Sequence, residues 1–210
     1  MTRMRLHYAD TLAPRKACAA ARHLGLPMEY RRVDLGRGEH KAPAYLAINP
    51  NGKVPALEDG ALRLWESNAI ICHLAMRAGS ALWPAEPAQQ VEVLRWMSWE
   101  ADALNRHGGA LYFEHVIRPR FALGPPDEAA MEAATRGFRE AAALVEAHLD
   151  GRRFLLGDAL TVADFAVAAV LPYADQAAIP LSDFPRIARW HDRLMALPAW
   201  ADPYPPATRH

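Results

Sequence analysis

Two short segments of this chain carry residue types that together could hold a small peptide with charged ends. The first is Asn49-Pro50-Asn51-Gly52-Lys53-Val54-Pro55, and the second is Trp65-Glu66-Ser67-Asn68. Because a residue before proline is biased towards extended backbone, Val54 is expected to be extended, with an edge that could pair with an incoming peptide. An X-Pro bond at such a bend is also a natural place for a cis peptide. Lys53 adds a mobile positive charge.

Ser67 precedes an apolar helical run and is expected to be the N-cap of that helix, with the first amide groups lacking intrahelical partners. Such amides bind anions, because the backbone donors and the helix dipole act together. Glu66 adds an acceptor for an ammonium group. A ligand with an α-amino acid at one end and a carboxylate at the other would satisfy Lys53, Glu66 and Ser67 together.

The first part of the chain must position these segments, and its pattern predicts alternating short strands and helices. Asp59-Gly60 is a hairpin turn signal between two β-rich runs. The predicted elements are strands at 5–8, 30–34, 56–58 and 62–65, and helices at 15–24 and 67–76. This order predicts a small α/β domain over residues 1–78. The following segment, 79–87, is rich in small residues and proline, which indicates a linker.

Residues 88–210 carry a helical pattern throughout, with apolar residues recurring at helical spacing. Thr161 and Asp164 have the spacing of a capping box, which stabilises the start of a helix. After a first long helix, two more are predicted at 128–149 and 185–197, followed by a tail at 203–210. The apolar stripe of the second long helix consists of Phe138, Ala142, Val145 and Leu149.

Composition excludes several classes of protein. The formal charge is zero, with 24 Lys and Arg against 24 Asp and Glu, so no basic excess is available to neutralise nucleic-acid phosphates. No apolar run approaches the roughly 18 residues needed to span a membrane, and the N-terminal residues lead into a strand rather than a signal region. Cys18 and Cys72 have no paired spacing, and the nine histidines show no metal-ligand pattern. We expect a reduced, cytoplasmic enzyme without a bound metal.

Together with Leu6-His7-Tyr8 and Gly38-Glu39-His40, the two segments resemble the glutathione-binding half of the cytosolic glutathione transferases. The resemblance covers essentially the whole chain and looks most like the theta, delta and bacterial nu-like branches. It implies a thioredoxin-like α/β N-terminal domain that binds glutathione as co-substrate, followed by an all-α C-terminal helical domain. It also implies a cytoplasmic detoxification enzyme that dimerises through the α/β domain and the first long helix. The apolar stripe expected at that contact consists of Val91, Leu94 and Trp96.

The resemblance places the group that activates the glutathione thiol in the loop after the first strand. A cysteine thiol has a reference pKa of about 8.5, so a hydroxyl that donates a hydrogen bond to sulfur must stabilise the thiolate near neutral pH. Theta-like and delta-like relatives use a serine, and some nu-like relatives a threonine, about four residues before the basic residue that starts the helix. Thr11 stands four residues before Arg15 and is the predicted catalytic and glutathione-binding residue. Tyr8 is the competing donor, and backbone amides are a third alternative.

Two departures from the family pattern affect this loop. Asp10 stands where the beta-like branch has its cysteine, so mixed-disulfide chemistry through a protein thiol is not implied. Ala13 stands where nu-like proteins carry an asparagine, two residues after the threonine. The second departure bears on catalysis more than on glutathione binding.

The remaining glutathione contacts are implied by the same resemblance. Glu66 is expected to face the ammonium group of the γ-glutamyl end, and Ser67 to face its carboxylate. Val54 would offer its backbone to the cysteinyl part. Lys53 and His40 would face the glycine carboxylate.

The second substrate would meet Tyr112, Phe113 and His115, which lie late in the first long helix, where this family builds its electrophile pocket against the first loop. An aromatic wall suits a hydrophobic acceptor, while Tyr112 and Phe113 are equally expected in a core. The leading function is conjugation of the glutathione thiolate to a hydrophobic electrophile. Two alternatives stay open: glutathione-dependent disulfide reduction, as in nu-like relatives, and a non-catalytic glutathione-binding protein of the same fold.

Overall fold

The computed structural model describes residues 3–205. These residues form two compact units, one made of 3–83 together with 197–205 and the other of 84–196. The chain passes from the first unit to the second inside the segment 79–87. The closing segment, residues 197–205, differs from expectation. The sequence pattern assigned it to the helical half, but it belongs to the first unit.

The first unit alternates strands and helices in the predicted order. Its elements up to residue 77 are β1 (Met4–Tyr8), α1 (Leu12–His23), β2 (Met28–Arg32), α2 (Pro43–Leu46), β3 (Ala56–Asp59), β4 (Leu62–Trp65) and α3 (Ser67–Arg77). Between β2 and β3 lie a 3₁₀ turn at Glu39–Lys41 and the short helix α2. Neither was predicted, since one turn of helix leaves almost no periodic signal.

The strands form one mixed sheet in the order β2-β1-β3-β4. β1 runs parallel to β2 and antiparallel to β3, and β3 runs antiparallel to β4. Asp59 pairs with Leu62, and Gly60 adopts a φ of +60° in the turn between them. The predicted hairpin and the thioredoxin-like α/β architecture are confirmed.

α1 begins earlier than the sequence predicts. It starts at Leu12 rather than Arg15 and ends at His23, shortly before Gly25, which has a φ of +61°. Pro14 lies in the first turn, where its missing N–H removes no intrahelical hydrogen bond. Thr11 is therefore the N-cap of α1.

The second unit is built from helices, as predicted. They are α4 (Pro87–Asp102), α5 (Leu104–Tyr112), α6 (Arg118–Arg120), α7 (Glu128–His148), α8 (Val162–Val167) and α9 (Pro185–Met195). A π-helical segment, Phe113–Ile117, joins α5 to α6. A 3₁₀ segment, Ala168–Tyr173, continues from α8.

The core of the second unit is built around α7 and the start of α8. The predicted stripe of α7 is buried, consisting of Phe138, Ala142, Val145 and Leu149. Asp164 is also fully buried, and its carboxylate accepts hydrogen bonds from the backbone N–H groups of Leu155 and Thr161 and from the indole of Trp190. The predicted capping box between Thr161 and Asp164 is confirmed.

The chain returns to the first unit at α10 (Pro198–Ala201). Trp200 is fully buried there, and the guanidinium group of Arg15 lies 5.5 Å from its ring centroid and donates to its carbonyl oxygen. This contact with α1 explains why the closing segment belongs to the first unit. The predicted last helix at 185–197 is thus α9 alone, and the end of the predicted tail, 206–210, lies outside the described residues.

Within residues 3–205, none of the helices combines the length and apolar character required to cross a bilayer. The same residues contain no group of three or more His, Cys, Asp or Glu side chains placed to hold a metal ion.

Candidate active site

The register of the sheet brings three connecting segments to one edge. His7 of β1 pairs with Ala56 at the start of β3, and Ala56 pairs with Trp65 at the end of β4. The segment after β1, the segment before β3 and the residue after β4 therefore leave the sheet at the same edge. Thr11, Val54 and Glu66, which the sequence analysis selected separately, lie on these three segments.

The segment between α2 and β3 is held by side chains that converge on one backbone carbonyl. Asn49, which is buried, donates from Nδ2 to the carbonyl oxygen of Lys53 at 2.7 Å, and the Tyr45 hydroxyl donates to the same oxygen at 2.6 Å. Oδ1 of Asn49 accepts from the Asn51 N–H at 3.0 Å. The backbone is thereby fixed directly before the Val54–Pro55 peptide bond, which is cis as predicted.

Gly52 allows this segment to approach the Glu39–Lys41 turn. Its φ is +57°, and a Cβ here would lie 2.8 Å from Nζ of Lys41 and 3.0 Å from the carbonyl oxygen of His40. The ammonium group of Lys41 is thus close to the segment that carries Lys53. Lys41 was not selected from the sequence, although it directly follows His40 in the stretch that carries the family resemblance.

His40 lies in the same turn and is half-buried. Among the described residues, its Nδ1 is enclosed and has no hydrogen-bond partner. Buried polar nitrogens are almost always paired with protein, ordered water or a ligand. Nδ1 of His40 is therefore an unsatisfied polar atom of the described structure.

The start of α3 corrects the sequence analysis. Ser67 is the first helical residue and Glu66 is the N-cap, with its carbonyl oxygen accepting from the Ile70 N–H at 3.0 Å. The prediction that Ser67 caps the helix is wrong, because β4 extends to Trp65 and leaves one residue between strand and helix. The amide groups of the first helical turn lack intrahelical partners and point towards any ligand at this end.

Glu66 has a backbone conformation that favours glycine. Its φ is +69° and its ψ is 115°. For a residue with a Cβ, such a conformation costs on the order of 1–3 kcal/mol and is concentrated at binding and catalytic sites. The Glu66 side chain is exposed, next to the buried Ser67. The conformation therefore points to a functional role for this carboxylate.

Thr11 is the residue after β1 that could stabilise a thiolate. Its N–H donates to the Ala9 carbonyl oxygen at 2.8 Å, and its own carbonyl oxygen accepts from the Arg15 N–H at 3.1 Å. Within the described part of the chain, the Thr11 hydroxyl makes no capping hydrogen bond. The hydroxyl thus stands at the start of α1, where the helix dipole also favours an anion.

Tyr8 lies in a different environment, inside an aromatic cluster at the end of β1. Its ring stacks on Tyr204 at a centroid distance of 5.8 Å and meets Tyr30 edge-on at 6.1 Å. Burial raises the pKa of Tyr8, and the nearby Asp10 carboxylate raises it further. Its phenol therefore stays protonated near neutral pH and is enclosed by two other rings.

The two protein thiols are poor nucleophiles. Cys18 is fully buried in α1, and burial raises the pKa of its thiol well above the usual value. Burial also raises the pKa of Cys72 in α3 to about 11, although the charge of Lys16 acts in the opposite direction. Because the thiolate is the reactive form, sulfur chemistry here would have to come from a bound ligand.

The three residues predicted to contact the second substrate have different surroundings in the second unit. Tyr112 is buried and packs edge-on against Tyr173 at 4.8 Å, so it belongs to the core. Phe113 is 40% exposed and lies beneath the guanidinium group of Arg118. His115 is half-buried and lines an open cavity of about 780 Å³ with one face of α7. The π-helical turn, which the sequence did not predict, contains Phe113 and His115; such turns are frequent at functional sites.

Sequence comparison agrees with this geometry. A family model described as the glutathione S-transferase N-terminal domain matches residues 6–76, and one for the C-terminal domain matches residues 128–193. The chain belongs to the glutathione S-transferase family. Over 91% of its length, the transferase is 34% identical to the probable glutathione S-transferase GSTF2 of Oryza sativa subsp. japonica, of which 92% is covered.

Two further relatives extend the comparison. The transferase is 34% identical to glutathione S-transferase GstB of Escherichia coli (strain K12), over 83% of this chain and 85% of that protein. A theta class glutathione S-transferase from Xanthomonas axonopodis pv. citri, solved with glutathione bound, is 30% identical with a TM-score of 0.85. That likeness covers 95% of the transferase and 96% of the solved chain.

Proposed function

We propose that the transferase joins the thiolate of glutathione to an electrophilic carbon of a hydrophobic second substrate, with Thr11 stabilising the thiolate. The thiol releases its proton to solvent, sulfur forms a bond to carbon, and the leaving group departs with the electron pair of its bond. The observation that carries this proposal is the position of Thr11 as N-cap of α1 with a hydroxyl that makes no capping bond within residues 3–205. A hydroxyl donor and the helix dipole both favour the anion.

Residues 1–78 would form the glutathione-binding domain. The exposed Glu66 carboxylate faces the ammonium group of the γ-glutamyl end, while Ser67 and the first amides of α3 face its carboxylate. The strained backbone of Glu66 and the correction that makes Ser67 the first helical residue both support this assignment. Val54, held beside the fixed Lys53 carbonyl, offers its backbone to the cysteinyl part.

The glycine carboxylate of glutathione would be bound by positive charge and by an imidazole. Lys53 and His40 take this role as the resemblance implies. We add Lys41, because its Nζ lies against Gly52 in the same segment. Three donors on two neighbouring segments suit a carboxylate better than one mobile lysine.

The second substrate would contact the helical half of the chain. Phe113 and His115 are the better candidates, because both reach the surface of their unit, whereas Tyr112 would support them from the core. An exposed aromatic ring suits an apolar electrophile. Within the family, a theta-, delta- or nu-like position is our proposal from the residue motifs; the relatives above include plant and Escherichia coli proteins as well as a theta class structure.

We further propose a cytoplasmic homodimer. Exposed apolar side chains occur on both units, at Leu62, Trp65 and Met76 of the first and at Val91 and Leu94 of the second. Trp96 was expected in the same stripe but is buried within the second unit, so it would not contribute. Contiguous exposed apolar surface marks protein–protein contacts.

Two measurements test the function. Isothermal calorimetry should detect glutathione binding that weakens about tenfold in Ser67→Ala, the effect of losing one hydrogen bond to a charged group. Ser182→Ala, at an exposed serine of the second unit, serves as the control and should bind like the wild type. Little loss of stability is expected in Ser67→Ala, since Glu66 is the cap.

Turnover then separates the enzyme classes. We expect conjugation of 1-chloro-2,4-dinitrobenzene, with release of chloride, and little reduction of 2-hydroxyethyl disulfide. Disulfide reduction without conjugation would replace the proposal by the oxidoreductase alternative. Glutathione binding without either activity would identify a non-catalytic binder.

A further inference from the structure

The segment that follows α10 lies along α1 and is bound to both of its ends. Near the C-terminal end of the helix, Nη1 of Arg22 donates to the carbonyl oxygens of Asp202 and Tyr204 at 2.5 and 2.6 Å. Pro203 between them is buried. We call residues 202–204 the closing strap.

The side chain of Tyr204 reaches from this strap to the start of α1. Its ring stacks on Tyr8 with an interplanar angle of 18°, and its hydroxyl donates to the carbonyl oxygen of Thr11 at 3.0 Å. The stacking fixes the direction of the ring, and the ring fixes the position of the hydroxyl. The strap therefore contacts the residue that carries the proposed catalytic hydroxyl.

The backbone of Thr11 is held at both peptide groups. Its N–H is bound to Ala9, while its carbonyl oxygen accepts from both the Arg15 N–H and the Tyr204 hydroxyl. Its side chain makes no capping bond that would orient it, within the residues described. The direction of the Thr11 hydroxyl therefore depends on the backbone. Ala9 and Arg15 hold this backbone locally, and Tyr204 holds it from a distant part of the chain.

We infer that Tyr204 is a positioning residue, which holds the Thr11 backbone so that the Thr11 hydroxyl points at the sulfur of bound glutathione. The inference rests on the proposed function of Thr11. Tyr204 itself need not touch the substrate, and its contribution passes through the Thr11 carbonyl. The strap thereby couples the C-terminal segment of the chain to thiol activation.

A purely structural role for Tyr204 predicts different behaviour, and the aromatic cluster offers a matched control. Tyr30 packs against the same Tyr8 ring, and burial raises its pKa to about 12. Tyr204→Phe and Tyr30→Phe each remove one hydroxyl from the cluster and keep the ring. Only Tyr204→Phe removes a hydrogen bond to Thr11.

The experiment is a pH titration of thiolate absorbance with saturating glutathione, on the full-length chain. Its variants are Tyr204→Phe, Tyr30→Phe, Thr11→Val and the double variant Thr11→Val/Tyr204→Phe. We expect Tyr204→Phe to raise the pKa of the bound thiol by about half a unit, a roughly threefold fall in the ratio of thiolate to thiol, as for one neutral hydrogen bond. kcat should fall with little change in the KM for glutathione, whereas Tyr30→Phe should match the wild type. Melting temperatures confirm that each variant is folded.

The double variant decides whether the effect passes through Thr11. If it does, Tyr204→Phe adds no further shift once the Thr11 hydroxyl is gone. A full additional shift in the double variant, or an equal shift in Tyr30→Phe, would overturn the inference. An unchanged thiol pKa in Tyr204→Phe together with a shift in Thr11→Val would also overturn it and leave the proposed function intact. No shift in Thr11→Val would remove the proposed role of Thr11 itself.

Discussion

Thr11 and Tyr8 are three residues apart, yet their surroundings differ. Tyr8 is enclosed by the rings of Tyr30 and Tyr204, whereas Thr11 begins α1 with a hydroxyl that makes no capping bond among the described residues. The distinction depends on where α1 begins, and Pro14 obscured that in the sequence. At the residue scale, the tertiary structure thus favours Thr11 over its competitor.

Thr11→Val should leave glutathione binding nearly intact and raise the pKa of the bound thiol. The substitution keeps the volume and branching of the side chain but removes its hydrogen-bond donor. A hydrogen bond to a charged group contributes about 1.5–3 kcal/mol, and each pKa unit corresponds to about 1.36 kcal/mol. We expect a rise of about one to two units, measured by the ultraviolet absorbance of the thiolate. A shift in Tyr8→Phe and none in Thr11→Val would assign activation to Tyr8.

We expect Glu66 to strengthen glutathione binding while its strained backbone lowers the stability of the fold. Glu66→Ala loses the carboxylate and keeps the strained backbone, whereas Glu66→Gly loses the carboxylate and relieves a strain of about 1–3 kcal/mol. We expect both variants to bind glutathione weakly, with Glu66→Gly unfolding at higher denaturant concentration than Glu66→Ala. Chemical denaturation and calorimetry measure the two properties. Equal stability of the two variants would show that the positive φ carries no strain.

At the scale of elements, the approach of the α2–β3 segment to the Glu39–Lys41 turn depends on Gly52. Gly52→Ala should destabilise the fold in two ways. Alanine is strained at the positive φ of this position, and its Cβ would lie only 3.0 Å from the His40 carbonyl oxygen. Gly25→Ala is a matched control, because its φ of +61° is similar and, among the described residues, nothing lies within 4 Å of its Cβ.

We expect Gly25→Ala to lower the free energy of unfolding by about 1 kcal/mol through backbone strain alone. Gly52→Ala should lose more, and it alone should weaken glutathione binding, because its segment carries Lys53 and Val54. Denaturation and calorimetry on the same pair of variants separate the two effects. Unchanged affinity in Gly52→Ala would mean that the two segments do not meet at the binding site.

The start of α8 depends on a buried carboxyl group whose stability contribution varies with pH. Burial raises the pKa of Asp164 in the folded state to about 6, against about 3.8 without burial. The folded state therefore binds more protons between these values, so the contribution of Asp164 is fully present at low pH and is lost as pH rises through about 6. Asp164→Asn cannot titrate, so subtracting its stability isolates this group.

Asp164→Asn should be less stable than the wild type by roughly 1–3 kcal/mol at neutral pH, because the amide NH₂ leaves buried donors such as the Leu155 N–H without an acceptor. From pH 7.5 to pH 5, the gap between the two proteins should widen. Denaturant unfolding at several pH values measures this gap. If the gap narrows towards low pH, the hydrogen bonds to the carboxylate outweigh its burial and its pKa is lowered.

At the scale of the whole molecule, the proposed homodimer makes a direct prediction about mass. Light scattering at micromolar concentration should give twice the 23.3 kDa of one chain. A charge at an apolar contact destabilises it, so Leu94→Glu should shift the protein towards the monomer. Leu144→Glu is the control, because Leu144 is exposed to a similar extent on α7. A monomeric wild type, or an equal effect of both substitutions, would contradict the proposed contact.

The sequence alone determined the features that neighbouring residues control. The Asp59-Gly60 turn set the hairpin, since β3 ends at Asp59 and β4 begins at Leu62, with which Asp59 pairs. The spacing of Thr161 and Asp164 within one helical turn was enough to predict the capping box. The periodicity of apolar residues was enough to predict the buried stripe of α7. The order of the glutathione-binding motifs was sufficient to recognise the family, because the residues of each motif are adjacent in the chain.

The tertiary structure decided the features that depend on residues far apart in the chain. Glu66 rather than Ser67 caps α3, in a backbone conformation with a φ of +69° that the local sequence did not indicate. Arg15 binds Trp200, so the closing segment joins the first unit. Tyr204 reaches Thr11 across 193 positions of sequence. Local propensity cannot encode such contacts, since they form only when packing brings distant segments together and offsets the entropy of closing a long loop.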